Sequence, residues 1–171
     1  ICCLCDSVLI PVTVWDVTAT QQTRGHRFLT AGDAMHSEGA WVTIDSPSVY
    51  ESALMTHFVM VDPEKRRQVI CEAYGQDQVL YEGLVTEVVG LVEWPTALTV
   101  SFDPSYLALP DSVLVQVMVG HQKYFPIWQA GQLHPSCMVI ADNVTKSNRS
   151  TIIAGNQRVL HARFNDALYF W

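Results

Sequence analysis

A chain of 171 residues, 49% apolar and 16% charged, can bury a sizeable core, which excludes a disordered or fibrous protein. Its formal net charge of −7 excludes a binder that relies on overall positive charge, and no apolar run reaches the length of a membrane span. Five cysteines, three of them crowded at Cys2, Cys3 and Cys5, do not suit a disulfide framework and fit reduced thiols in a cytoplasm.

In chain order, "SVLIPVTVWDV" predicts a buried strand with Pro11 at an edge or bulge. "TATQQTRGHRFLTAGD", punctuated by Gly25 and Gly32, predicts a loop with a short extended centre. "DSPSVYESALMTHF" predicts a helix with Ser46 as N-cap and Pro47 at its first position. "FVMV" follows as a short strand, and Asp62-Pro63 opens a helix ended by Gly75. A third helix is expected over Val79 to Val89, with Leu80, Leu84 and Val88 spaced four apart. "TALTVSF" alternates as a strand, and Asp103-Pro104 and Pro110-Asp111 start two helical turns. "KYFPIW" and "SCMVIAD" flank Ala130-Gly131 as a hairpin. "NRSTIIAGNQRVLHARFNDALYFW" is helical in character, with a break expected at Gly155. These elements alternate without a strict βαβ rhythm, so the expected class is α+β with a mixed, largely antiparallel sheet and packed helices. The start lacks a methionine and a basic n-region, and the end is aromatic, so both are expected to be internal points of a longer protein.

No phosphate-cradling loop, H-E-x-x-H or G-x-S-x-G occurs, so no catalytic residue is assigned. Zinc held by Cys2, Cys3, Cys5, His134 and Cys137 is disfavoured because the first ligands crowd too closely, and core packing is the expected role of these cysteines. Charge is uneven: residues 1–120 hold 15 acids against 5 Lys/Arg, whereas residues 121–171 hold 2 acids against 5, a local +3. Three segments could use that bias. "TRGHRF" clusters Arg24, His26 and Arg27 in a glycine-containing loop, where guanidinium groups can grip phosphates and a histidine can stack. "GHQKYFPIW" sets Lys123 beside Tyr124, and strand alternation would put Tyr124 on one side with Lys123 and Phe125 on the other. In "GNQRVLHARFNDALYFW", Val159, Ala162 and Ala167 would face inward while Arg158 and His161 share an outer face. Structural roles stay open for each: His26 packed under a strand, Arg27 paired with an acid, Tyr124 in the core and Arg163 paired with Asp166.

Taken in order and at these distances, "TRGHRF", "RRQVICEA", "LVEWPTAL", "HQKYFPIW" and "GNQRVLHARFNDALYFW" closely resemble the beta subunit of bacterial tetrameric glycyl-tRNA synthetase. The likeness runs over nearly the whole chain and is strongest from Leu91 to Trp171; His121, where the family usually has an aspartate, is a departure. The resemblance implies an internal fragment of an α2β2 ligase that attaches glycine to its tRNA in the cytoplasm. It implies ATP and magnesium used in the alpha subunit, with no cofactor in this segment, and as partners glycine tRNA, the alpha subunit and other domains of the same beta chain. DNA and membranes are not expected partners. The implied fold resembles the tRNA-binding, editing-type domain of the phenylalanyl-tRNA synthetase beta chain, as a single domain 1–171 or two closely packed lobes, roughly 1–90 and 91–171. On this reading Arg24, His26, Arg27, Lys123, Tyr124, Arg158 and Arg163 contact RNA. The alternatives are a scaffold that docks the alpha subunit or neighbouring beta domains and, ranked last, an editing hydrolase, which glycine's small size makes little needed.

Overall fold

The computed structural model describes residues 1–30, 38–75 and 78–171, and backbone contacts divide the chain into two compact units, Ile1–Lys65 and Arg66–Trp171. The division falls after Lys65, not near residue 90. The helices on either side of residues 76–77 pack into the same core as the later strands, which joins them to the second unit.

The first unit opens with two tight antiparallel hairpins where one buried strand was expected. β1 (Leu4–Cys5) pairs with β2 (Val8–Leu9), and β3 (Thr13–Val14) pairs with β4 (Val17–Thr18). The turns place Asp6 at φ 52° and Trp15 at φ 55°, the left-handed geometry that two-residue hairpin loops require. Most of this apolar run is exposed, with Trp15 at 91%, because strands of two residues cannot cover a core. β5 (Gln22–Arg24) and β6 (Trp41–Thr43) then pair antiparallel, with Arg24 opposite Trp41. A 3₁₀ turn from Pro47 leads into α1 (Tyr50–Met55), and Val42, Ile44 and Leu54 form the small core beneath. "FVMV" is no strand: Phe58 sits at φ 59° and the Val59 N–H donates to the Leu54 carbonyl, closing off α1 instead of extending. Asp62 caps α2 (Pro63–Tyr74) by accepting the Glu64 N–H at 2.9 Å.

The second unit is layered about a three-stranded antiparallel sheet ordered β7 (Thr96–Ser101), β9 (Gln132–Ala141), β8 (Phe125–Gln129). The period of two along β9 sends Leu133, Cys137 and Val139 to one core and Met138 to the other. α2 and α3 (Glu82–Val89) fill the second core through Ile70, Tyr74, Leu84, Val85 and Val88. Leu80 is 69% exposed, because it lies in the 3₁₀ turn Gln78–Tyr81, out of phase with α3. On the opposite face α4 (Asp111–Val115) runs into a π-helix, Gln116–Gln122, and α5 (Arg149–Phe170) packs Leu160 and Phe164 against Val100 and Phe102. The expected hairpin is present, with Ala130 at φ 49° and Gly131 at φ 78° in its turn. Taken together the units are α+β with small antiparallel sheets.

α5 passes through Gly155 unbroken. A lone glycine costs a helix only about 1 kcal/mol, which the burial of Leu160 and Phe164 outweighs. Their spacing sets the inner face, so Val159 and Ala162, expected inside, are exposed.

Candidate nucleic-acid interface

In the "TRGHRF" loop, Gly25 is buried where a Cβ would stand 2.8 Å from the His57 Cβ, so only glycine lets β5 pass this close. Arg24 donates to the Gly39 carbonyl at 3.0 Å and to Glu38 Oε2 at 2.5 Å, and its guanidinium carbon lies 3.5 Å from the centre of the Trp41 ring. Its fork is therefore a clasp between β5 and the segment leading into β6. His26 is 1% exposed, and its Nδ1 accepts the N–H groups of Phe28 and Leu29 at 3.2 and 3.1 Å. An imidazole so placed shapes the loop and offers no face for stacking, which corrects the expectation for His26. Arg27 is exposed, with its guanidinium 5.8 Å from the Phe28 ring.

The alternation expected across "KYF" fails because Lys123 ends the π-helix in a left-handed conformation, φ 60°, before β8 begins. Tyr124 and Phe125 are consequently both buried, in different cores. The Tyr124 hydroxyl donates to Asn156 Oδ1 on α5, and burial pushes its pKa up to about 12. Tyr124 is a core residue here and not a stacking platform. Lys123 Nζ lies 2.9 Å from Glu87 Oε2.

α5 supplies what the other two segments do not. Arg158 and Arg163 are exposed, and among the described residues no carboxylate pairs with either; Asp166 makes no ion pair with Arg163. They stand about 140° apart around the helix, so they serve different flanks. On the Arg158 flank a groove of about 720 Å³ runs between α5 and the end of β7. Arg158, His161 and Gln157 line it from the helix, and Ser101, Asp103 and Tyr106 line it from the sheet side.

Apart from Arg158, the polar side chains Gln157, Asp103, Tyr106 and His161 on the groove are held by bonds within the chain. Gln157 Nε2 donates to the Ser101 carbonyl at 3.2 Å. Asp103 Oδ1 accepts the Ser105 N–H at 2.9 Å, capping the 3₁₀ turn Pro104–Ala108, and that bond holds its carboxyl below the usual aspartate range. Tyr106 is buried, and its hydroxyl donates to Asn165 Oδ1 at 2.7 Å; Asn165 Nδ2 lies 3.1 Å from His161 Nδ1. His161 also meets the Tyr106 ring edge-on, at 5.9 Å and 81°. Asp103, Tyr106 and Asn165 were not singled out from the sequence. The Asp-Pro helix start and the i, i+4 spacing of His161 and Asn165 were the available signals.

Hydrolytic chemistry finds little support. His134 Nδ1 lies 2.8 Å from Ser136 Oγ, but Ser136 is 3% exposed, out of reach of an acyl group. The buried Cys137 thiol donates to the Val100 carbonyl and has its pKa pushed up to about 12, the reverse of what a nucleophile or zinc ligand needs.

The family model described as glycyl-tRNA synthetase beta subunit matches residues 1–171. A glycine–tRNA ligase beta subunit from Listeria monocytogenes serovar 1/2a is 38% identical over 174 residues, which cover 97% of this chain and 24% of that protein. Proteins of the same name from Moorella thermoacetica and Halalkalibacterium halodurans are each 39% identical, over 96% and 95% of this chain and 24% and 23% of theirs. The chain thus spans about a quarter of the length of the curated relatives it matches. It belongs to the glycyl-tRNA synthetase beta subunit family.

Proposed function

We propose that this chain is a non-catalytic, tRNA-contacting part of a glycine–tRNA ligase, with α5 as its RNA-facing element. The observation that carries the reading is Arg158: exposed on a long helix, unpaired with any carboxylate among the described residues, beside a groove, in a chain whose net charge is −7. Arg24 and Lys123 would each have to exchange a carboxylate for a phosphate. Arg27 and Arg163 are secondary contacts. In this reading glycine activation, with ATP and magnesium, takes place in the alpha subunit, and the enzyme works in the cytoplasm. No described helix is long and apolar enough to cross a membrane. Kinship with the tRNA-binding, editing-type domain of the phenylalanyl-tRNA synthetase beta chain belongs to the same reading and comes only with the family resemblance.

The test is Arg158→Glu in the full-length beta chain assembled with its alpha subunit. The KM for glycine tRNA rises while glycine-dependent ATP–pyrophosphate exchange is unchanged. Equal KM values remove α5 from the RNA contact.

A second role, docking of protein surfaces, is favoured by the exposed apolar side chains of the β1–β4 hairpins, Trp15 foremost. If it holds, Trp15→Ser weakens subunit assembly in sedimentation. An unchanged complex mass at limiting concentration excludes it.

A further inference from the structure

Two opposite charges line the groove beside α5 without neutralising each other. Arg158 comes from the helix and Asp103 from the end of β7, and no ion pair joins them. Charges that share a groove unpaired suit a ligand carrying an anion for one and a hydrogen-bond donor for the other. His161, Ser101, Gln157 and Phe102 line the same groove. The volume of about 720 Å³ lies within the range of roughly 300–1,000 Å³ typical of small-molecule sites, and it far exceeds what a free amino acid fills.

The hydrogen-bonding sense of the groove is also set. The Tyr106 hydroxyl points at two acceptors, Asn165 Oδ1 at 2.7 Å and the His161 carbonyl at 3.5 Å, so it donates. The amide nitrogen of Asn165 therefore faces His161 and donates to Nδ1, which leaves the neutral imidazole with its proton on Nε2. Asp103 takes the Ser105 N–H on Oδ1 and is also bonded by the Ser105 hydroxyl; a carboxylate has about four lone-pair sites, so acceptor capacity remains for a ligand.

We infer that this groove is a recess for one unpaired RNA nucleotide, with Arg158 on the phosphate, the His161 Nε2–H as a fixed donor, and Asp103 reading an exocyclic amine on the base. The inference rests on the tRNA-contacting reading and adds to it a base preference. A carboxylate accepts from the N4 amine of cytosine and repels the O4 of uracil.

The experiment measures binding of single-stranded oligocytidylate and oligouridylate to the full-length beta chain assembled with its alpha subunit. The expected result is about tenfold tighter binding of oligocytidylate. Asp103→Asn keeps the cap through Oδ1 and replaces the second carboxylate oxygen by an amide donor, so it erases the preference or turns it toward uridine, while Arg158→Ala weakens both ligands. Equal binding of the two oligonucleotides, unaffected by Asp103→Asn but weakened by Arg158→Ala, overturns the recess and leaves the RNA-contact reading standing. If neither oligonucleotide nor glycine tRNA binds through Arg158, both readings fall. Displacement of oligocytidylate by millimolar free glycine, whose two charges could also bridge Asp103 and Arg158, overturns the nucleotide assignment.

Discussion

Asn165 and His161, one helical turn apart on α5, are joined side chain to side chain at 3.1 Å, and the Tyr106 hydroxyl grips the far end of the same amide. An exposed histidine on a helix usually samples several rotamers and both tautomers. Here a buried tyrosine sets the amide, and the amide sets the ring.

The chain of donors makes a spectroscopic prediction. In ¹⁵N-resolved NMR at a pH where His161 is neutral, its proton resides on Nε2. Asn165→Leu removes the donor to Nδ1, and the ring then shows a mixture of tautomers. A mixed population in the unaltered protein would show that the Tyr106–Asn165 pair does not orient this residue.

Gly155 yields a prediction of opposite character to what its identity suggests. It lies inside α5, and a Cβ built there meets nothing within 4 Å. Gly155→Ala should therefore stabilise the second unit by about 0.5–1 kcal/mol in chemical denaturation, through helix propensity and a less flexible unfolded chain. Destabilisation would mean that the helix does need a hinge at this point.

Alkaline pH should unfold the second unit through two buried groups. Cys137 and Tyr124 have folded pKa values pushed up to about 12, from ordinary values of 9.0 and 10.0, because burial disfavours their anions. Once pH passes the ordinary value, the unfolded chain releases a proton that the folded chain keeps. Stability then falls with rising pH, by about 1.4 kcal/mol per pH unit for each group in that window. From neutral pH to about 8.5 these groups contribute no slope, and the decline then begins with the buried thiols, Tyr124 joining above its ordinary value. Cys137→Ala should make the decline shallower from the thiol's ordinary value upward without moving its onset, because burial also raises the Cys71 thiol. A profile that stays flat to pH 11 would show that neither group is buried as described.

Sequence pattern carried much of the second unit and little of the first. The hairpin at Ala130-Gly131, the strand at Thr96–Ser101 and the helix closed by Gly75 were legible because turn residues and period-two alternation coincide there. The opening run was not legible: an apolar stretch reads as one strand unless the left-handed turns at Asp6 and Trp15 are known, and neither residue advertises positive φ as glycine would. The outward placement of Arg158 on α5 was legible from charge and helical spacing, whereas His26 and Tyr124, expected at the surface, are buried. A histidine between two arginines and a tyrosine beside a lysine look like surface chemistry. Their burial depends on a loop hydrogen-bond pair at Phe28 and Leu29 and on the left-handed Lys123, which no local pattern announces.

The most direct test of the proposed α5 contact is the salt dependence of glycine tRNA binding to the full-length protein, comparing Arg158→Ala with Arg24→Ala. A phosphate contact releases counterions, so Arg158→Ala should reduce the slope of log K against log salt by about 1, while Arg24→Ala, held by Glu38 and Trp41, leaves it unchanged. An unchanged slope for Arg158→Ala, or the loss appearing instead with Arg24→Ala, would contradict the account and move the RNA contact off this helix.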